Sequence, residues 1–224
     1  MSVETDMYDR IVDAIIGLPI TNLSSLSAGA DLYEPYVWSL VLEAAERMGA
    51  TITLVDRNGN PPASFWFRTQ PSGIASVAHP YCHATIEFPE CPILEAHVGI
   101  YVSGRSKVKH ECDVAVVFKS EADACRDHNA HPRFSKAILT VECKFYVDAT
   151  VGVGHGRSFL GLINDIQNGE RYFVATRASN SVSKLFSKHN KEYELGLSPL
   201  SPDLETRLRG SFEKAFRDFK SEFA

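Results

Sequence analysis

The 224-residue sequence predicts an α/β fold with a mixed central β-sheet flanked by α-helices. Three observations carry this expectation. Apolar, partly β-branched runs of strand length lie at Leu94–Val102, Lys109–Phe118 and Ala137–Tyr146. Segments with helical spacing of apolar residues flank them, at Asp31–Met48, at Ser158–Gln167 and from Ser201 onward. Beyond the third run, helix and short strand alternate, with Arg171–Thr176 as a strand and Val182–His189 as a helix. A hydrophobic content of 44% and a charged content of 23% are those of an ordinary globular chain.

The elements follow in order. Met7–Ile16 places Ile11, Val12, Ile15 and Ile16 on a short amphipathic helix stopped by Gly17 and Pro19. Thr21–Ala30, rich in Ser, Gly and Ala, reads as a connection, so residues 1–30 are expected as an N-terminal helix and linker and 31–224 as the main domain. Asp31 is the expected N-cap and Gly49 the stop of a helix carrying Val37, Val41, Ala44, Ala45 and Met48 on its buried stripe. Glu34, seven positions before Val41, falls within about 20° of that stripe, whereas Glu43 faces away from it. Thr51–Val55 and Ser64–Phe67 are expected as strands that pair across the turn at Asp56–Asn60, and Tyr81–Phe88 as a further extended piece. Ser103-Gly104-Arg105-Ser106 joins two of the long apolar runs as a hairpin. Lys119–Lys136 is a polar connection, and Val147–Arg157 a glycine-rich one beside the third run. Ser201-Pro202 is a helix start, followed by Leu204, Leu208, Phe212, Ala215, Phe216, Phe219 and Phe223 at three- and four-residue spacing, a face for core packing or for pairing two chains.

Chemistry concentrates in two of the strands. Asp113 sits in one apolar run and Glu142-Cys143-Lys144 in the next, and strand alternation puts Glu142 and Lys144 on one face, with Val141, Cys143 and Phe145 on the other. Two acids and a lysine on buried strands are costly unless paired or bound to a cation. Glu111 shares the face of Asp113 two residues away, with His110 beside it. A hard ion such as Mg²⁺ or Mn²⁺ takes one or two carboxylates and keeps several waters, so Asp113 and Glu142 are the expected metal ligands. Lys144 can orient or help deprotonate a water, or neutralise developing charge on a phosphate.

This order of helix, hairpin with Asp113, strand with Glu142-x-Lys144, helix and strand resembles the restriction-endonuclease-like PD-(D/E)xK nuclease superfamily over roughly residues 31–190. The resemblance implies a Mg²⁺- or Mn²⁺-dependent endonuclease acting on DNA, in bacterial defence or DNA processing. It assigns Asp113, Glu142 and Lys144 as catalytic and Glu34 as the supporting glutamate of the preceding helix. It also implies a phosphate contact from Arg157; Glu111, on the face of Asp113, is a further substrate-side candidate, and Arg68 a weaker one. Cys112 stands where the superfamily often has proline. The alternative is a catalytically inactive module of this fold that binds nucleic acid or assembles a partner complex, against which the intact acid-acid-lysine set speaks.

Other chemistries find less support. Gly152-Val153-Gly154-His155-Gly156-Arg157 lies between a strand and a helix but matches neither the phosphate-loop pattern nor the dinucleotide fingerprint, and His155 is expected to touch substrate or solvent. Cys82, His83, Cys91 and His97 form an imaginable zinc set whose spacing is not a standard one. The five scattered cysteines fit a reducing compartment, with Cys112 and Cys143 as small core residues. The acidic opening MSVETDMYDR and the lack of a long apolar run predict a cytoplasmic protein with no membrane partner. Net charge is -5, yet residues 1–60 carry three Lys/Arg and nine Asp/Glu, while 61–224 carry twenty and nineteen. Clusters at Arg105, Lys107 and Lys109 and at Lys184, Lys188 and Lys191 leave room for a nucleic-acid face. A field this weak predicts help from a homodimer or from a targeting or activating partner.

Overall fold

Seven strands hydrogen-bond in the order of the chain in the computed structural model, which describes residues 2–223. β1 (Thr51–Asp56), β2 (Cys82–Glu87), β3 (Leu94–Ser103), β4 (Lys109–Phe118) and β5 (Ala137–Lys144) pair antiparallel. β6 (Glu170–Ala175) and β7 (Glu192–Leu195) then add parallel to β5. The change of direction follows from the connections: a tight turn at Gly104–Val108 reverses β3 into β4, whereas β5, β6 and β7 are linked through helices. The sheet is therefore mixed, and helices cover both of its faces. None of these helices is long and apolar enough to cross a membrane among the described residues.

One face carries α1 (Val3–Ala14), α2 (Gly29–Arg47) and α6 (Pro202–Ser221). Met7 and Ile11 of α1, Trp38 and Val41 of α2, and Phe212 and Phe216 of α6 share one buried cluster with Val114, Val116, Val141 and Val174 of the sheet. The Trp38 indole also donates to the Ala96 carbonyl of β3 at 3.1 Å, which pins α2 against the strands. The aromatic stripe of α6 thus packs the core, the first of the two roles expected for it. The other face carries α3 (Lys119–His128), α4 (Val153–Asp165) and α5 (Asn180–Lys188), with Ala115 and Val117 under α3 and Phe159, Phe173 and Phe186 between α4, α5 and β6.

Glycine and its neighbours decide where the sheet bends. Val98 and Val114 join the first core, yet Ile100 and Cys112, two positions along their strands, join the second. A two-residue period would keep each pair on one face. Gly99, at φ +60°, turns β3 over at this level, directly beside the stretch of β4 that carries Asp113.

Several local expectations need correction. Ser64–Phe67 forms no strand; Phe65 makes a single bridge to Ile20, and β1 takes β2 as its partner instead. The polar connection after Phe118 contains α3, whose buried Ala122 and Cys125 lie on one side of an otherwise charged helix. α2 starts at Gly29 and is preceded by Ala28, so Asp31 lies in the first turn and is not the cap. The glycine-rich segment at 152–157 is not a loop, since α4 begins at Val153 and runs through it. Gly156 there is buried against α5, where a Cβ would stand 3.0 Å from Leu185, so its role is close helix approach.

Candidate active site where two strands part

β4 and β5 are paired as far as Val114 opposite Val141, and beyond that level each strand continues with a different neighbour. The opening begins at Asp113 and Glu142. In place of a main-chain partner, the Cys143 N–H donates to the Asp113 carboxylate at 2.6 Å, so a buried acid is held in the mouth of the opening by the strand it faces. Glu142 and Lys144 project together, as strand alternation requires, while Val141 and Cys143 enter the core on the opposite side. The Lys144 ammonium lies 2.7 Å from Glu142 and 3.9 Å from Asp113.

Glu34 reaches this group from α2. Gly29, at the start of that helix, lies against the Phe145 ring just past β5, where a Cβ would fall 2.1 Å from the ring. That close approach sets the helix end over the opening. Burial, then the charges of Asp113 and Glu111, push the Glu34 carboxyl well above the ordinary glutamate value. Burial and Glu142 raise Asp113 likewise, against the opposing effects of Lys144 and the Cys143 N–H. Burial followed by Glu142 also raises Glu111, which is exposed at the outer edge. Burial disfavours the Lys144 charge, yet Asp113 and Glu142 outweigh it and hold the ammonium above the usual lysine range.

Four carboxyl groups thus influence one another around a single ammonium. Oxygen donors of this kind are those a hard divalent cation prefers, and with no three of these carboxylates converging within 4.8 Å among the described residues, an ion here would rest on one or two of them and keep its waters. Asp113, Glu142 and Lys144 are brought together, with Glu34 and Glu111 near enough for their charges to act on one another.

The remaining candidates have the following settings. Arg157 is exposed on α4 and has no ion-pair partner among the described residues. His155 accepts or donates a 2.8 Å hydrogen bond with the Tyr146 hydroxyl. His110 is engaged 2.6 Å from Asp165, which also accepts from Ser106, so it ties the β3–β4 turn to the end of α4. Arg68 is buried over the Tyr81 ring at 3.3 Å and donates to Ser72, so it anchors a loop. All five cysteines are free.

The imagined zinc set does not assemble. Cys82 points into the first core, while His83 and His97 lie together elsewhere, joined by Glu95 and by Arg126 of α3. Sequence reasoning passed over Glu95. The available signal was parity: Glu95 and His97 are two apart on one strand and so share a face. Comparison with protein-family models, curated proteins and solved structures returns no significant match to this chain.

Proposed function

We propose that the chain is a divalent-metal-dependent endonuclease that hydrolyses phosphodiester bonds of DNA, built on a restriction-endonuclease-like core. The observation that carries this reading is the meeting of Asp113, Glu142 and Lys144 at the parting of β4 and β5, with Glu34 of α2 near enough to feel their charges. The succession of α2, the β3–β4 hairpin, β5, α4 and β6, with β1 and β2 before the hairpin and α3 after it, supports it, because helix, hairpin, strand, helix and strand follow in the order expected from the resemblance.

Phosphodiester hydrolysis needs an activated water and a sink for negative charge on the phosphate oxygens. A bound Mg²⁺ or Mn²⁺ supplies Lewis acidity for both. Asp113 and Glu142 would hold the ion, and Asp113 is oriented for this by the Cys143 N–H. Lys144 keeps its proton, so its role is to neutralise developing charge on the phosphate rather than to accept a proton. Glu34, protonated more readily than an ordinary glutamate, can accept a proton from a water near the opening once it is ionised.

Incubating supercoiled plasmid with the full chain and Mn²⁺, beside Glu142→Ala and Lys144→Ala, tests the assignment. Wild type should nick or linearise the plasmid, and each variant should lose on the order of 10²–10³ in rate. Equal cleavage by all three proteins would assign the activity to a contaminant.

A further inference from the structure

The buried polar layer under α3 holds a group of donor atoms that the proposed reaction does not use. β2 and β3 pair with Thr85 opposite Glu95, so His83 and His97 come face to face along the same pair of strands. Their rings stack with centroids 4.6 Å apart and planes inclined by 21°. One carboxylate oxygen of Glu95 lies 2.9 Å from His97 Nε2 and 3.4 Å from His83 Nε2. All three side chains are buried, with His97 wholly so.

Arg126 reaches into this group from α3. Its Nη2 donates to the shared Glu95 oxygen and lies 3.3 Å from His83 Nε2, while its Nη1 donates to the other Glu95 oxygen at 3.2 Å and to Asp123 at 2.7 Å. His83 Nε2 therefore stands between a donor and an acceptor. If it carries a proton, N–H faces guanidinium N–H; if it does not, its lone pair faces a carboxylate. One contact is unfavourable in either tautomer. The Nδ1 atoms of both histidines are buried without a partner, so neither tautomer is selected from behind.

A cation beside the three atoms removes the conflict, because both Nε2 atoms can then be unprotonated acceptors and share one positive centre with the carboxylate oxygen. We propose that His83, Glu95 and His97 bind a zinc-class divalent cation, whose place the Arg126 guanidinium holds in its absence. The two distances from Glu95, 2.9 and 3.4 Å, fit, since bonds of about 2.0–2.1 Å in a tetrahedral zinc site set ligand atoms about 3.3 Å apart. Two imidazoles and one carboxylate suit zinc or a neighbouring transition ion better than magnesium. This donor set leaves a fourth position open, and His83, Glu95 and Arg126 line a cavity of about 510 Å³ with Thr53, Arg57 and Thr85, through which an ion can enter and a water or small anion can complete it. On entry only the Nη2 contacts of Arg126 must be given up. Nη1 stays on the second Glu95 oxygen and on Asp123, the kind of outer support that orients a carboxylate ligand.

Calorimetric titration of the chelator-stripped full chain with Zn²⁺, together with visible absorption on Co²⁺ addition, tests the site. With excess Mg²⁺ present to occupy the carboxylate opening, one ion per chain is expected, with a tetrahedral Co²⁺ spectrum lacking thiolate charge transfer. His97→Ala should weaken Zn²⁺ binding by about 100-fold or more, beyond what loss of a supporting residue causes. Asp113→Ala should leave it unchanged. Arg126→Gln should tighten it about tenfold, the effect of removing about 1.4 kcal/mol of repulsion from a neighbouring charge. If His97→Ala fails to fold, His83→Gln at the cavity wall serves in its place, with the same loss expected. The proposal is overturned if wild type takes up no Zn²⁺ or if the histidine variant binds it as well. A thiolate band on Co²⁺, or loss of binding in Asp113→Ala, would also overturn it, by placing the ion on a cysteine or in the carboxylate opening.

Discussion

Glu34 and Asp113 make stability depend on pH in a definite direction. Each carboxyl is pushed above its ordinary value, by burial first and by neighbouring acids second, so the folded chain holds protons that the unfolded chain has released. The stabilisation is complete below the ordinary carboxylate range near 4.5 and is lost as pH rises toward the raised folded values. The melting temperature without metal should therefore fall from pH 5 to pH 9, and Glu34→Gln, which removes one of the crowded charges, should flatten that fall. Parallel melting profiles for the two proteins would show that Glu34 does not titrate with the cluster. Mn²⁺ should raise the melting temperature more at pH 8 than at pH 5.5, because protons compete for the same oxygens. Asp113, Glu142 and Lys144 were legible in the sequence because a charge in an apolar strand stands out and strand parity fixes which residues share its face. The place of Arg68 was not, since a cation's partner is set by tertiary packing, and Arg68 lies over the Tyr81 ring.

At the scale of the element, the parallel half of the sheet depends on how α4 returns into β6. Gly169 makes that return at φ +72°, and a Cβ there would stand 2.5 Å from the Ala137 carbonyl oxygen and 2.6 Å from that of Ile138. Both are backbone atoms of β5, so the clash cannot be relieved by a side-chain rotation. Gly169→Ala should cost about 3 kcal/mol, the sum of about 1–2 for a left-handed residue with a Cβ and about 1–3 for overpacking, read as a lower urea midpoint with an unchanged slope. A change below about 0.5 kcal/mol would mean that the turn adapts freely. The long apolar strands β3, β4 and β5 and the amphipathic α5 and α6 announce themselves by period, and their expected bounds lie within a few residues of those found. Short or polar elements do not. β7 has only four residues with three of them partly or fully exposed, and α3 buries Ala122 and Cys125 among charges. The start of α4 was hidden for a different reason, because glycines that permit close packing against α5 look like glycines that permit a loop.

The whole molecule carries a net charge of -5, and its opening gathers Glu34, Glu111, Asp113 and Glu142 around one lysine. Once pH is high enough for Glu34 and Asp113 to release their protons, a phosphate backbone approaching that opening meets charge of its own sign, whereas the exposed cations at Arg105, Lys107 and Lys109 lie at the β3–β4 turn. The same acids that recommend the site for catalysis thus work against loading it with DNA, and a divalent ion reverses the local sign. Binding should accordingly require the ion. In mobility-shift measurements on a short duplex without divalent metal, wild type should show weak retention. The double variant Asp113→Asn, Glu142→Gln should bind about tenfold tighter under the same conditions, equivalent to about 1.4 kcal/mol of repulsion relieved. Adding Ca²⁺ should tighten wild type and leave the double variant nearly unchanged, since the variant lacks the carboxylates that hold the ion. Raising salt should weaken both, because the remaining contacts are to phosphate. If the double variant binds no better than wild type, the acids do not gate the approach of DNA, and the weak overall field alone sets the affinity.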